Sequence, residues 1–186
     1  MKKIIFATGN EAKLRDARNA LYDTGYEVIG EKIDFQEIQT LDQELIVKNK
    51  AKQAYEVTKS PLFVDDTGFY IENIPEFPGT MTKYINKTLG INGLSKLYDE
   101  GQKAHFKTLI CMTDGEREVV VEGKLMGKLT KLRSLVFNPD TPINSIFVPD
   151  GFDKPLAEIS DSLGIGNVHR KYALEKLSNE LKKQDE

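Results

Sequence analysis

The stretch Ile4-Ile5-Phe6-Ala7-Thr8-Gly9-Asn10-Glu11-Ala12-Lys13-Leu14 decides how the rest of the chain is read. Four apolar residues suit a short buried strand, and Thr8-Gly9-Asn10 breaks it. From Glu11 the period changes: Leu14, Ala17, Ala20 and Leu21 recur at helical spacing, with Gly25 where a C-terminal cap belongs. Strand, tight turn and helix open a fold of the α/β class.

Working outward, the alternation from Tyr26 to Asp34 predicts a second strand. Thr40-Leu41-Asp42-Gln43 resembles a capping box that opens a helix through about Lys59, with Leu45, Ile46, Ala54, Tyr55 and Val57 on its apolar face. Pro61 stops that helix, and Leu62-Phe63-Val64 is another short buried strand, ending in Asp65-Asp66-Thr67-Gly68 and continuing into Phe69-Tyr70-Ile71. Pro75 and Pro78-Gly79 mark a loop, followed by short helices near Met81 to Leu89 and Gly93 to Glu100. Ala104 to Met112 and Glu118 to Glu122 read as strands around the turn Asp114-Gly115, with a third strand over Gly123 to Lys131. Leu132 to Asn144 reads as a loop, Ser145 to Val148 as a strand, and Asn167 through Lys182 as a last helix burying Ala173, Leu174, Leu177 and Leu181. The residues from Lys182 to Glu186 form a frayed end. No linker or repeat divides the chain, so residues 1–186 form a single domain.

At 186 residues the chain is long enough for one substantial core without disulfide or metal staples. Its 26 basic and 29 acidic residues give a formal charge of −3, which argues against nucleic acid or an anionic membrane as partner. The single cysteine, Cys111, has no internal partner and reads as a small core hydrophobe. The Met1-Lys2-Lys3 start precedes too few apolar residues for a signal sequence, and no run approaches a membrane span of ~20 residues. A soluble, cytoplasmic protein is expected.

Three constellations could carry chemistry. Thr8-Gly9-Asn10 lies at a helix N-terminus, where free N–H groups and the helix dipole favour an anion, and Lys13 adds a point charge one turn on. The plainer alternative is a turn with Asn10 as N-cap and Lys13 in solvent. Asp65 and Asp66 stand at the carboxyl end of a strand, where open α/β sheets place their ligands, and paired carboxylates suit Mg²⁺ bridged to phosphates. Glu37 is a third candidate, and the alternative here is ordinary turn chemistry. His169-Arg170 at the start of the last helix and Lys83 in a loop could each contact phosphate or base, or simply face water. His105, in a strand beside Phe106, reads as structural.

Taken together, Ala7-Thr8-Gly9-Asn10-Glu11-Ala12-Lys13-Leu14, Phe63-Val64-Asp65-Asp66-Thr67-Gly68-Phe69, Phe77-Pro78-Gly79, Phe147-Val148-Pro149-Asp150-Gly151-Phe152, Ala157-Glu158 and His169-Arg170-Lys171-Tyr172-Ala173-Leu174 resemble, in order, the inosine triphosphate pyrophosphatase family. The match covers most of the chain and is weak from about Leu89 to Asn144. The resemblance implies an elongated mixed α/β fold, with flanking helices, two lobes around a central cleft, and a homodimer. It also implies Mg²⁺-dependent hydrolysis of purine nucleoside triphosphates with deaminated bases to monophosphate and pyrophosphate. By resemblance, Thr8, Gly9, Asn10 and Lys13 would hold the triphosphate. Glu37 and Asp66 would hold metal with Asp65 in support, and Asp66 would also act on the attacking water. Thr67 and Lys83 would contact phosphate, and His169 and Arg170 would reach the base end.

Departures cluster on the base side. Where such proteins carry Gly-aromatic-Asp-Pro-x-Phe, this chain has Pro142-Ile143-Asn144-Ser145-Ile146-Phe147, and an expected lysine and serine are Gly164 and Val168. Asn144 offers a base edge one acceptor and one donor group where an aspartate offers only acceptors, so base preference is expected to relax. Two other readings stay open: a divergent nucleotide-binding protein with little turnover, and a pyrimidine or modified-nucleotide pyrophosphatase of the Maf-like group. Thr8-Gly9-Asn10 and His169-Arg170 speak against the second.

Overall fold

The computed structural model describes residues 1–159 and 163–183. In chain order its elements are β1 (Lys2–Ala7), α1 (Glu11–Ala20), β2 (Tyr26–Glu31), α2 (Gln43–Thr58), β3 (Leu62–Ile71), β4 (Pro78–Gly79), α3 (Thr82–Thr88), α4 (Gly90–Leu94), β5 (Lys103–Thr113), β6 (Glu118–Leu129), β7 (Phe147–Pro149) and α5 (Val168–Lys182). The strands form one seven-stranded sheet in the order β2-β1-β3-β5-β6-β7, with β4 paired to β3. β1 runs parallel to β2 and β3, whereas β4 is antiparallel to β3 and β7 to β6, so the mixed α/β class expected from the sequence holds. Among the described residues no helix is long and apolar enough to cross a membrane.

The chain folds into two compact units, and β3, β5 and β6 each give residues to both. The first holds residues 1–66, 108–123 and 170–183. Its strands are covered on both faces, and the period of two along each strand sorts side chains between two cores. Ile4, Phe6, Phe63, Ile110 and Met112 pack against α1 and α5 through Leu14, Ala17, Leu21, Ala173, Leu174, Leu177 and Leu181. Their sequence neighbours Leu62, Val64, Leu109 and Cys111 turn the other way, onto Val47, Ala51 and Ala54 of α2. Phe6 and Phe63, opposite each other in the β1–β3 register, stack with ring centroids 4.4 Å apart. Burial pushes the Cys111 thiol up to about 12, as befits a core filler rather than a nucleophile.

The second unit, residues 67–107 and 124–169, is built on a cluster of Phe69, Phe106 and Phe147, whose rings meet at 4.8, 5.6 and 5.1 Å in tilted and edge-to-face pairs. Ile91, Leu94, Leu125, Leu129, Ile143 and Leu156 complete that core.

Several boundaries differ from the sequence reading. β2 stops at Glu31, short of Asp34. The N-cap of α2 is Asp42, whose side chain accepts from Leu45 N, while Thr40 Oγ1 accepts from Asp42 N. Two cap-forming residues lie two apart, and the helical backbone starts at the second. Leu45 and Val57 are exposed, because the buried stripe of α2 runs through Gln43, Ile46, Val47, Lys50, Ala51 and Ala54. α4 ends at Leu94, ahead of the helix expected over Gly93 to Glu100. Gly123 interrupts nothing: β6 runs unbroken from Glu118 to Leu129. Pro142–Ser145 form a single 3₁₀ turn, so the last strand starts at Phe147. α5 stays helical through Lys182, and the frayed end expected beyond it falls on residues 184–186, outside the described residues.

Candidate active site

Asp65 and Asp66 are consecutive on β3, so the pleat sends their side chains to opposite faces. Asp65 follows Phe63 toward α1 and α5, and Asp66 follows Leu62 and Val64 toward α2. Glu37 and Asp66, expected to hold metal with Asp65 in support, meet on one face, and Asp65 lies on the other. Asp65 is committed elsewhere.

On its face Asp65 meets two cations. Lys13 Nζ, from the first turn of α1, lies 2.9 Å from Oδ1, and Arg170 Nε, near the start of α5, donates to Oδ2 at 3.0 Å. The Asp65 side chain is only 4% exposed, against 27% for Lys13 and 10% for Arg170. Burial alone would raise the Asp65 carboxyl, but Lys13 and Arg170 overcome it and hold the group below the ordinary carboxylate range. One buried carboxylate thus gathers two basic side chains that are far apart in sequence.

Asp66 stands in a second network built by α2. Lys50 Nζ bridges Glu37 Oε1 at 2.8 Å and Asp66 Oδ1 at 2.9 Å. Gln43 Nε2 donates to the Asp66 main-chain oxygen at 3.1 Å and to Oδ2 at 3.2 Å. Gln53 reaches back to the segment before α2, donating from Nε2 to Gln36 O and accepting from Gln36 N, both at 2.9 Å, which fixes the peptide next to Glu37. Burial works against the Lys50 ammonium, yet Asp66 and Glu37 outweigh it and raise the group above its ordinary value.

The Thr8-Gly9-Asn10 turn is less open than expected. Asn10 caps α1 with Oδ1 accepting from Ala12 N and Lys13 N, and Thr8 Oγ1 accepts from Asn10 N. The cap does not take the N–H groups of Gly9 and Glu11. A Cβ on Gly9 would lie 3.2 Å from Lys32 Cγ, so the Lys32 stem passes over the glycine.

Of the other sequence candidates, Thr67, Lys83, Asn144 and His169 belong to the second unit. Lys83 is exposed in the first turn of α3, and Asn144 is half-buried in the 3₁₀ turn, its N–H donating to Thr141 O. His169 is buried, its ring stacked on Phe106 at 5.5 Å and Nε2 lying 3.1 Å from Gly166 O. His105 stacks on Tyr70 at 5.2 Å, in keeping with a structural part. Gln43, Lys50, Gln53 and Lys32 were not singled out from the sequence. A signal for one pair was present: Gln43 and Lys50 share the helical stripe of Val47, Ala51 and Ala54, where a solvated polar residue does not belong.

The chemistry of the donor set fits a hard divalent cation. Glu37 and Asp66 point oxygens at one shared position, which the Lys50 ammonium marks with a positive charge. Among the described residues no group of three or more His, Cys, Asp or Glu could cage an ion alone. Two carboxylates with remaining positions left to water and phosphate is the usual provision for Mg²⁺.

Residues 4–180 match the model of the Ham1 family. The chain belongs to the Ham1 family. Among Ham1-related proteins, a dITP/XTP pyrophosphatase of Thermococcus kodakarensis is 33% identical over 185 residues, covering 97% of each chain. An inosine triphosphate pyrophosphatase of Yarrowia lipolytica is 30% identical over 178 residues, covering 94% of this chain and 93% of its own. Among solved structures, the Ham1 protein of Staphylococcus aureus superposes with a TM-score of 0.79 at 23% identity, covering 98% of this chain and 100% of its own. A HAM1 protein from Coxiella burnetii gives 0.80 at 22% identity, with the same coverage. The family resemblance read from the motifs, and the mixed α/β fold it implied, are borne out.

Proposed function

We propose that this protein hydrolyses nucleoside triphosphates, deaminated purines such as ITP, dITP and XTP among them, to monophosphate and pyrophosphate with Mg²⁺. The observation that carries the reading is the pair of opposite-faced carboxylates on β3: Asp65 concentrates Lys13 and Arg170, and Asp66 faces Glu37 across Lys50. A triphosphate carries about four negative charges, and an acidic protein binds it by concentrating cations locally, with metal offsetting the carboxylates. The curated relatives, named dITP/XTP and inosine triphosphate pyrophosphatases, support the same reaction class.

In this reading Lys13, Lys50 and Arg170 hold phosphate oxygens, since an ammonium or guanidinium has more donors than one carboxylate contact consumes. The Gly9 and Glu11 N–H groups at the start of α1 add neutral donors. Glu37 and Asp66 would hold Mg²⁺, which supplies Lewis-acid neutralisation of the phosphates and of the departing pyrophosphate. Asp66 orients a water toward the α-phosphorus and accepts its proton as the bond to the pyrophosphate oxygen breaks. The family resemblance assigns Thr67 and Lys83 to phosphate, and His169 and Asn144 to the base. With Ile143 buried in the second unit's core, no aromatic at that position flanks the base, so discrimination between ITP and ATP is weak. The protein acts as a homodimer, which light scattering would test.

The deciding experiment is a panel of ITP, dITP, XTP, ATP, GTP and pyrimidine triphosphates with pyrophosphate and monophosphate quantified. Release from purine triphosphates that stops with EDTA and returns with Mg²⁺ is expected. Asp66→Asn should lower kcat at least about a hundredfold while the protein still folds, as read by circular dichroism. No pyrophosphate from any triphosphate would leave a nucleotide-binding protein instead, and a strong preference for ITP over ATP would overturn the relaxed specificity.

A further inference from the structure

Helix α2 buries two polar side chains, Gln43 and Lys50, seven residues and two turns apart on one face. Lys50 is explained by the two carboxylates it bridges. Gln43 is 2% exposed, and burying an amide is unfavourable unless its hydrogen bonds are replaced. An apolar residue of equal length would fill the same space at the base of α2. What the amide adds is a grip on Asp66 at two points, the main-chain oxygen and Oδ2.

That grip differs in kind from the one Lys50 exerts. Lys50 holds Oδ1 at 2.9 Å through charge, shares itself with Glu37, and sits on a flexible four-carbon stem. A divalent cation held by Glu37 and Asp66 would repel the ammonium, and a phosphate would attract it, so the hold of Lys50 on Asp66 would weaken with both bound. Gln43 is neutral and engages the other oxygen. Its contact does not depend on which cation faces Oδ1. By binding the peptide oxygen as well, it ties the carboxylate plane to the backbone that carries it.

The geometry points to Gln43 as a positioning residue for Asp66. It holds the carboxylate in one orientation whether or not Lys50 stays on the other oxygen. The inference rests on the role of Asp66 in the hydrolysis proposed above. Partners that orient a metal-ligating group typically contribute 10–100-fold in affinity or activity.

The test compares Gln43→Met, which keeps length and volume but has no donor, with the unaltered protein. Two readouts are taken: kcat and KM for purine triphosphate hydrolysis, and the affinity of the nucleotide-free protein for Mn²⁺ by calorimetry. The expected result is a kcat lower by about 10–100-fold with KM within about threefold, and Mn²⁺ bound at least about fivefold more weakly. A purely structural glutamine would lower the thermal midpoint yet leave kcat of the folded protein and Mn²⁺ affinity within about twofold, and that result overturns the proposal. If Gln43→Met cannot be purified folded, Gln43→Asn, an amide one methylene short of Asp66, must show the same two losses. Should the unaltered protein release no pyrophosphate, the hydrolase reading falls, and unchanged Mn²⁺ affinity on substitution still decides against Gln43 on its own.

Discussion

Replacing Asp65 by Asn keeps the shape of the side chain and one oxygen acceptor while deleting the charge that Lys13 and Arg170 share. Removing one partner of a buried ion pair costs about 3–5 kcal/mol, because the other charge stays behind without compensation. Here two cations are left. Arg170 at 10% exposure cannot regain much water, whereas Lys13 at 27% can, and the Asn oxygen still accepts one bond. These reliefs place the loss near the lower end, about 3 kcal/mol. With an unfolding entropy of ~2.1 cal/mol/K per residue, that lowers Tm by about 8 °C for a chain of this size. The effect depends on pH with a defined sign. The Asp65 carboxyl is held below its ordinary value in the folded protein, so its contribution is complete above the unfolded pKa of about 3.9 and is lost as pH falls toward the folded value. Each pH unit in that window removes about 1.4 kcal/mol, so the Tm gap between the two proteins narrows by up to about 3 °C between pH 7 and pH 3. Scanning calorimetry at both pH values measures it. A loss under 2 °C at pH 7, or a gap that widens in acid, would refute the reasoning.

Three further outcomes are expected. Asn10→Ala removes the cap on Ala12 N and Lys13 N, with a loss of about 1 kcal/mol, read as a Tm fall of 2–3 °C. Gly115→Ala is strained at φ +98° and brings a Cβ to 2.1 Å from Tyr55 Oη, so it should cost about 2 kcal/mol or more, and the cost should shrink in a Tyr55→Ala background by urea denaturation. Lys50→Met leaves Glu37 and Asp66 facing each other. Because the folded Lys50 pKa is raised, its stabilisation is complete below about pH 10.4 and is lost only as pH rises through the folded value, so the urea midpoints of variant and parent should differ constantly to about pH 10 and converge above it.

What was legible in the sequence was local. Thr8-Gly9-Asn10 after an apolar run announces the end of β1, because turn chemistry and period change within a few residues, whereas Asp65-Asp66-Thr67-Gly68 imitates a strand end and lies inside β3, which runs on to Ile71. The opposite facing of Asp65 and Asp66 follows from the same period of two, yet two adjacent carboxylates invite a joint reading until their partners are seen. Those partners, Lys13 and Arg170 on one side and Gln43 and Lys50 on the other, come from three helices, and only packing chooses among the chain's 26 basic residues. The apolar face read for α2 followed residue type and included Leu45 and Val57, which are exposed, while the polar Gln43 and Lys50 are buried. Asn10 was legible as a cap, but not that capping would use two of the N–H groups an anion was expected to find.

The clamp on Asp65 also bears on the order in which the protein is made. Lys13 precedes Asp65 by 52 residues and is in hand when β3 emerges, whereas Arg170 follows by 105. At about 5–20 residues per second, roughly 5–20 s of synthesis separate the carboxylate from its second cation. Through that interval Asp65 has a single basic partner, and the last helix, by docking, adds the second cation and leaves the cluster net positive. A growing chain therefore carries this clamp half-built, and only completion of α5 brings the second cation to the carboxylate.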